Sequence, residues 1–389
     1  MTTYNFDQAI QRRGGGSVKW QFYDEDVIPL WVADMDFGSP REVIEALQER
    51  AAHGVFGYEL PSKELSEVIC ARLEKLYQWK VLPEELVHLP GLVTGINIVV
   101  RAVLAHNTGD AMITQTPVYF PFLSAPKNFG AVLQETELTR SDDGQIIRYE
   151  TDFEKFEGSL TPQTKLFMLC NPHNPGGFSY TREQLMRLGE ICLKHNVVVC
   201  SDEIHCDLLL EGQRHTPLAS LAPELAANCI TLMAPSKTFN VAGLGCSYAV
   251  IQNEELRRKF KAAAEGVVPL INVFGLTAAM AAYQHGDEWL SQALAYLKAN
   301  RDTLVKYVNQ NLPQIRLTNP EATYLAWLDC REAGIEGNSQ KFFLEKARVA
   351  FSDGATFGKG GEGFVRLNFG CTRATLQEGL ERIKRSLGS

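Results

Sequence analysis

Cys229-Ile-Thr-Leu-Met-Ala-Pro-Ser-Lys237-Thr-Phe-Asn-Val-Ala-Gly-Leu244 is an apolar, strand-type run that passes into a turn presenting one primary amine. Lysine is rarely buried without a partner, so an amine at the mouth of an apolar strand needs a chemical reason. Upstream, Val197-Val-Val-Cys-Ser-Asp202-Glu-Ile-His205 is a second apolar run, and it ends on a carboxylate. Open α/β sheets build their sites at the carboxyl ends of strands, so the two runs predict an acid and an amine that meet at one edge of a sheet. By position alone, Lys237 reads as a turn lysine facing solvent and Asp202 as a helix N-cap. A chemistry that uses both groups gives the stronger reading.

That chemistry is an aldehyde cofactor held by the lysine as a Schiff base, with the acid facing a pyridinium nitrogen and favouring its protonated, electron-withdrawing form. Taken with Asn171-Pro-His-Asn-Pro-Gly-Gly177, the Lys237 and Asp202 segments resemble those of fold-type I pyridoxal-phosphate enzymes of the class I/II aminotransferase superfamily. Trp31-Val-Ala-Asp-Met-Asp-Phe37 and Phe56-Gly-Tyr58 are similar to segments of the MalY/PatB group of carbon–sulfur β-lyases. The likeness runs over nearly the whole chain. It implies an α/β protein of PLP-dependent transferase fold type I, with a large domain built on a mostly parallel seven-stranded sheet and a smaller α+β domain. The large, cofactor-binding domain is expected at 50–285 and a discontinuous small domain at 1–49 with 286–389.

Composition agrees with a globular enzyme. A chain of 389 residues exceeds what one hydrophobic core usually serves, so two subdomains are expected. The content is 45% hydrophobic and 22% charged, with a net charge of -8, which argues against nucleic acid or an anionic membrane as partner. The first residues carry neither the basic nor the apolar region of a signal peptide, and no apolar run approaches the length of about 20 residues that spans a bilayer. A cytoplasmic location is expected. The nine cysteines form no CxxC pair and mostly sit in apolar runs, so core thiols are expected, with no disulfide and no metal site.

The pattern along the chain divides accordingly. The first forty residues read as irregular. Ser39-Pro40 reads as an N-cap and first helical residue, opening a helix from Arg41 to His53, and Ser62 to Trp79 is amphipathic. Short apolar runs at Ala111–Thr114, Lys165–Leu169, Val197–Cys200, Cys229–Met233 and Cys246–Ile251 alternate with helical segments such as Arg182–His195. Such alternation predicts a mostly parallel sheet covered on both faces. Beyond residue 285 come a long helix at Glu288–Asn311, strand runs at Pro313–Leu317, Ala322–Leu328 and Phe364–Asn368, a helix near Ser339–Arg348 and a last helix from Arg373.

The resemblance assigns roles residue by residue. Lys237 is the Schiff-base partner and the base that removes the substrate α-proton, which requires a site that lowers its pKa. Asp202 faces the ring nitrogen, and Glu203 is structural. Asn174 matches the donor to the ring oxygen, although Asn-Pro-Gly is also an ordinary turn. Tyr119, in Thr116-Pro-Val-Tyr-Phe-Pro, matches the aromatic that stacks on the ring. Pro90-Gly-Leu-Val-Thr-Gly-Ile96 opens a helix whose amide donors suit a phosphate, with Val93 and Thr94 at the cup and the Ser236 hydroxyl beside it. Tyr58 matches a tyrosine that reaches the neighbouring subunit's phosphate, which implies a homodimer with a shared site. His205 falls where relatives place a tyrosine; a core histidine and a group supporting the cofactor both remain open. Gly245 stands where many aminotransferases carry a phosphate-clamping arginine. Arg366, a charge within an apolar strand, matches the clamp for the substrate α-carboxylate. Trp31, Asp34 and Tyr324 are placed at the entrance, with core packing as the alternative.

The expected activity is α,β-elimination of L-cystathionine or a cysteine S-conjugate to a thiol, pyruvate and ammonia. An aminotransferase is the alternative, although no second arginine for an acidic substrate can be identified. A regulatory binding protein with residual lyase activity is a further one.

Overall fold

The apolar runs assemble in the order Leu86–Leu89, Ser247–Val250, Cys229–Met233, Val198–Asp202, Thr164–Cys170, Ala111–Thr116, Val132–Glu137, in a computed structural model that describes residues 3–388. Ser247–Val250 is antiparallel to both neighbours, and the remaining pairs are parallel. This is the mostly parallel seven-stranded α/β sheet expected from the alternating apolar runs. Two of the central strands are buried at every residue, as happens when helices cover both faces of a sheet. On one face Ile96, Val99 and Val100 of the Leu92–Val103 helix pack on Met112, Leu166 and Leu232. On the other, Leu185 and Leu188 of Arg182–Lys194 and Ala282 of Val273–His285 pack with Ile113, Phe167 and Val199. Each such leucine, isoleucine or valine contributes about 1.5–3 kcal/mol by leaving water.

Some helix ends follow local chemistry, and one expected cap does not form. Ser62 caps Lys63–Tyr77 by accepting the Leu65 N–H at 3.0 Å, and Thr181 with Gln184 forms a capping box on Arg182–Lys194. The Arg41–His53 helix forms where expected, but Ser39 does not cap it. Pro40 takes the cap position, and the Ser39 hydroxyl donates to the Asn240 carbonyl at 3.0 Å. A tertiary tie to the lysine turn has displaced a local cap.

A second sheet runs Ser352–Asp353, Phe364–Asn368, Leu325–Asp329, Arg316–Thr318, Ile146–Glu150, Thr139–Asp143. Its last two strands come from inside the 50–285 stretch, so the chain does not divide cleanly at those boundaries. Ile146 and Ile147 pair in parallel with Leu317 and Thr318, and Ile147 and Tyr149 pack on Trp327 and Phe364. The mostly exposed, polar strand Thr139–Asp143 gives this hairpin no apolar run to mark it. Ile28–Pro29 pairs with Val349–Ala350 in a separate two-stranded ladder, the Asn368 N–H donates to the Leu30 carbonyl at 2.9 Å and so ties the N-terminal segment to the six-stranded sheet, and that segment contains a short helix, Val18–Gln21. The expected helix near 339–348 is one α-turn, Ser339–Phe342, followed by a π-turn, Phe343–Ala347. Among the described residues no helix is long and apolar enough to cross a membrane.

Candidate active site

Three adjacent parallel strands end at one edge of the large sheet, with Cys170 in register with Asp202 and Asp202 with Leu232. The residues that follow them, Asn174 and Lys237, line one cavity of about 210 Å³ together with Asp202, Tyr119, His205 and Ser236. The floor of the cavity is the start of the Leu92–Val103 helix, through Gly91, Leu92 and Val93.

Burial lowers the Lys237 amine to about 8; Asp34 opposes that shift, the Arg366 charge reinforces it and Asp202 opposes it. Its Nζ donates to the Ala33 carbonyl at 2.6 Å, and Tyr324 Oη donates to the same oxygen at 2.9 Å. Asp202 is buried, and burial pushes its carboxyl up to about 7. The one hydrogen bond to this carboxyl among the described residues comes from the Ile204 N–H to Oδ1 at 3.1 Å. Burial holds His205 down at about 3, so the ring is neutral, and its Nδ1 has no partner among the described residues. The ring stands edge-on to Tyr324 at 6.1 Å.

Arg366 projects from the Phe364–Asn368 strand of the second sheet and is 3% exposed. Its guanidinium donates to Asn174 Oδ1 and to the Trp31 carbonyl, both at 2.9 Å, and to Ser352 Oγ at 3.1 Å, while Nε has no partner among the described residues. Burial brings it down to about 10. Because the Asn174 oxygen accepts from Arg366, the amide nitrogen of Asn174 is left as a donor.

The remaining expected residues fall in different places. Val93 lines the cavity, and Thr94 follows it in the helix without lining it. Trp31 lies against the site through its carbonyl, its indole N–H being donated to the Lys19 carbonyl at 3.1 Å. Asp34 is engaged by Arg12 at 2.7 Å; against the upward push of burial, Arg12 and Lys19 hold its carboxyl below the usual range. Tyr324 is 1% exposed and braces Ala33 from behind, so it does not form an entrance. Tyr58 is 98% exposed and lies outside the cavity. Sequence reasoning missed the Ala33 carbonyl and Ser352. Ala33 acts through its backbone, which no side-chain pattern reveals, although its position inside Trp31-Val-Ala-Asp was a signal.

This set fits a pyridoxal phosphate. An amine near neutrality can form the covalent link, and a cationic ring nitrogen would reverse the upward push on Asp202. The first amide groups of the Leu92–Val103 helix have no intrahelical acceptor and suit a phosphate. The absent arginine also has a structural reason: Gly245 sits at φ 59°, and a Cβ there would stand 2.7 Å from the Pro90 carbonyl oxygen. The glycine lets that turn close on the segment leading into the helix.

Residues 25–383 match the family model described as Aminotransferase class I and II. Cystathionine beta-lyase PatB of Bacillus subtilis is 42% identical over 391 residues, covering 98% of this chain and 100% of that protein. The crystal structure of OvoB is 46% identical with a TM-score of 0.93, covering 99% of this chain and 100% of that one. Cystalysin from Treponema denticola, whose crystal structure contains a pyridoxal 5'-phosphate cofactor, is 33% identical with a TM-score of 0.94, covering 100% of this chain and 99% of that one.

Proposed function

The chain belongs to the class I and II aminotransferase family, and from that premise we infer that it is a pyridoxal-phosphate-dependent carbon–sulfur β-lyase. It acts on L-cystathionine or a related cysteine S-conjugate and releases a thiol, pyruvate and ammonia. The observation that carries this reading is the shared cavity in which a lysine brought down to about 8 and a buried aspartate meet, in a chain 42% identical to a cystathionine beta-lyase.

When bound, the cofactor supplies an aldehyde for the substrate amine and a ring that withdraws the electron pair left at the α-carbon. Asp202 would hold the ring nitrogen, the Asn174 amide the ring oxygen, and Tyr119 the ring face. Ser236 and the amide groups of the Leu92–Val103 helix would take the phosphate. Arg366 binds the substrate carboxylate through the edge that includes its unpartnered Nε. Lys237 Nζ, unprotonated in a useful fraction at neutral pH, removes the α-proton, and the Ala33 carbonyl accepts from the resulting ammonium. The pair from the C–H bond forms the Cα–Cβ double bond as the Cβ–S bond breaks. The sulfur leaves with its electrons and takes up the proton that Lys237 removed, and water hydrolyses the enamine to pyruvate and ammonia.

Transamination shares the first proton transfer. Arg366 is committed to the α-carboxylate, and the described cavity lining adds no other arginine, so the distal carboxylate of an acidic transaminase substrate finds no second clamp there. Incubation with L-cystathionine, with thiol, pyruvate and alanine measured together, separates the two. Thiol and pyruvate in equal amounts support the lyase, and alanine formed from added pyruvate without thiol release overturns it.

The active form we propose is a homodimer with shared sites. Val55, Phe56, Tyr58 and Leu60 form an apolar run 56–98% exposed in the single chain, and the described cavity lining offers a phosphate no cation besides Lys237. Tyr58 from a second copy supplies the missing donor. Nine free thiols, eight of them buried, support a reducing compartment such as the cytoplasm.

A further inference from the structure

The turn that carries Lys237 is the four-residue helix Pro235–Thr238, too short to hold its own orientation. It is tied from two sides. On one side the Asn240 amide donates to the Met35 and Phe37 carbonyls at 3.0 and 2.8 Å and accepts the Met35 N–H at 2.9 Å. On the other, the buried Thr238 hydroxyl donates to Asp207 Oδ2 at 3.2 Å.

Asp207 is itself held from the Lys63–Tyr77 helix. Arg72 donates to the same Oδ2 at 3.0 Å, and the Tyr77 hydroxyl donates to Oδ1. Arg72 is fixed in turn by Asp287 at 2.8 Å and by the faces of Phe239 and Tyr283, at 5.5 and 5.4 Å. His205 lines the cavity with Lys237, whereas Cys206 and Asp207 line a separate cavity of about 650 Å³. Consecutive residues of one turn thus line the two cavities. Asp207 does not line the cavity that holds Lys237, and its hydrogen bond toward the lysine turn is the one from Thr238.

We propose that Thr238 and Asp207 are a positioning pair that sets where the Lys237 amine sits relative to Asp202. The tie joins the turn after the lysine strand to the turn after the aspartate strand, so the base and the acid are located against each other and not only against the backbone of each strand. The inference rests on the lyase reading for its kinetic test, but not for its spectroscopic one.

The experiment uses the holoenzyme and Thr238→Val, which removes the hydroxyl at nearly the same shape, with Thr238→Ser as the variant that restores it. Displacing a base by a fraction of an ångström to one ångström predicts a kcat lower by about 10- to 100-fold in Thr238→Val, with KM within about twofold. The pH at which its visible cofactor band titrates is expected to move by at least about half a unit, since that value reports the surroundings of the lysine nitrogen. Thr238→Ser is expected to return both to wild-type values. A Thr238→Val enzyme with wild-type kcat and an unmoved titration overturns the proposal, as does one that loses thermal stability alone. Should Thr238→Val fail to accumulate as folded protein, Thr238→Ala removes the same oxygen without adding a methyl group and is judged by the same two readings. A wild-type protein that releases no thiol overturns the lyase reading, while the titration still decides the positioning pair.

Discussion

Burial pushes the Asp202 carboxyl up to about 7 against the opposing pull of the Ile204 N–H and the Lys237 charge, and this one residue sets function against stability. An aspartate in an unfolded chain titrates near 4. The folded protein therefore holds this proton to higher pH, and the stability contributed by the neutral carboxyl is complete below about pH 4 and lost as pH rises through about 7. In protein freed of cofactor, Asp202→Asn is expected to raise the melting temperature at pH 8 by a few degrees and to change it little at pH 4.5, and in the cofactor-loaded enzyme the same substitution is expected to abolish β-elimination. Scanning calorimetry at the two pH values checks this, and a variant that melts no higher than wild type at pH 8 contradicts it. Asp202 and Lys237 were legible in the sequence because each ends an apolar strand on a charge. Asp207 was not, because its role depends on Arg72, Tyr77 and Thr238, which only the fold brings together.

At the scale of elements, the Pro90–Val103 segment and the Gly245 turn form one cradle. Gly245 occupies left-handed backbone, and its missing Cβ leaves room for the Pro90 carbonyl. Introducing the family's phosphate arginine here is expected to fail: Gly245→Arg should lower the melting temperature and weaken cofactor affinity at least tenfold, about 1.4 kcal/mol. A tighter-binding Gly245→Arg protein, measured by fluorescence titration, would show that the turn can yield. The strands that carry the site read plainly from sequence because parallel strands buried on both faces are continuous apolar runs. Leu86–Leu89, Val132–Glu137 and the Thr139–Glu150 hairpin did not. Their positions at sheet edges leave them partly exposed and mixed in composition. Ser39 misled for a related reason: a local cap signal was outcompeted by the Asn240 carbonyl.

For the whole molecule the proposed dimer has a consequence that a monomer cannot reproduce. If Tyr58 serves the partner's phosphate, a hybrid of one Lys237→Ala chain and one Tyr58→Ala chain contains one site with both residues and one with neither. Mixing the two inactive or weakened homodimers under exchange conditions is expected to restore up to half of the wild-type activity per dimer. No recovery in a hybrid verified by native mass spectrometry contradicts a shared site. The apolar Val55–Leu60 stretch belongs to this scale too, since its exposure in one chain makes sense only against another.

The covalent tether is tested most directly by reducing the yellow holoenzyme with borohydride and mapping the modified peptide by mass spectrometry. The account predicts one phosphopyridoxyl group per chain, on Lys237 within the Ala234–Asn240 segment, and none in Lys237→Ala. A label on any other lysine, or a wild-type protein that stays colourless and unlabelled with added pyridoxal phosphate, would contradict it.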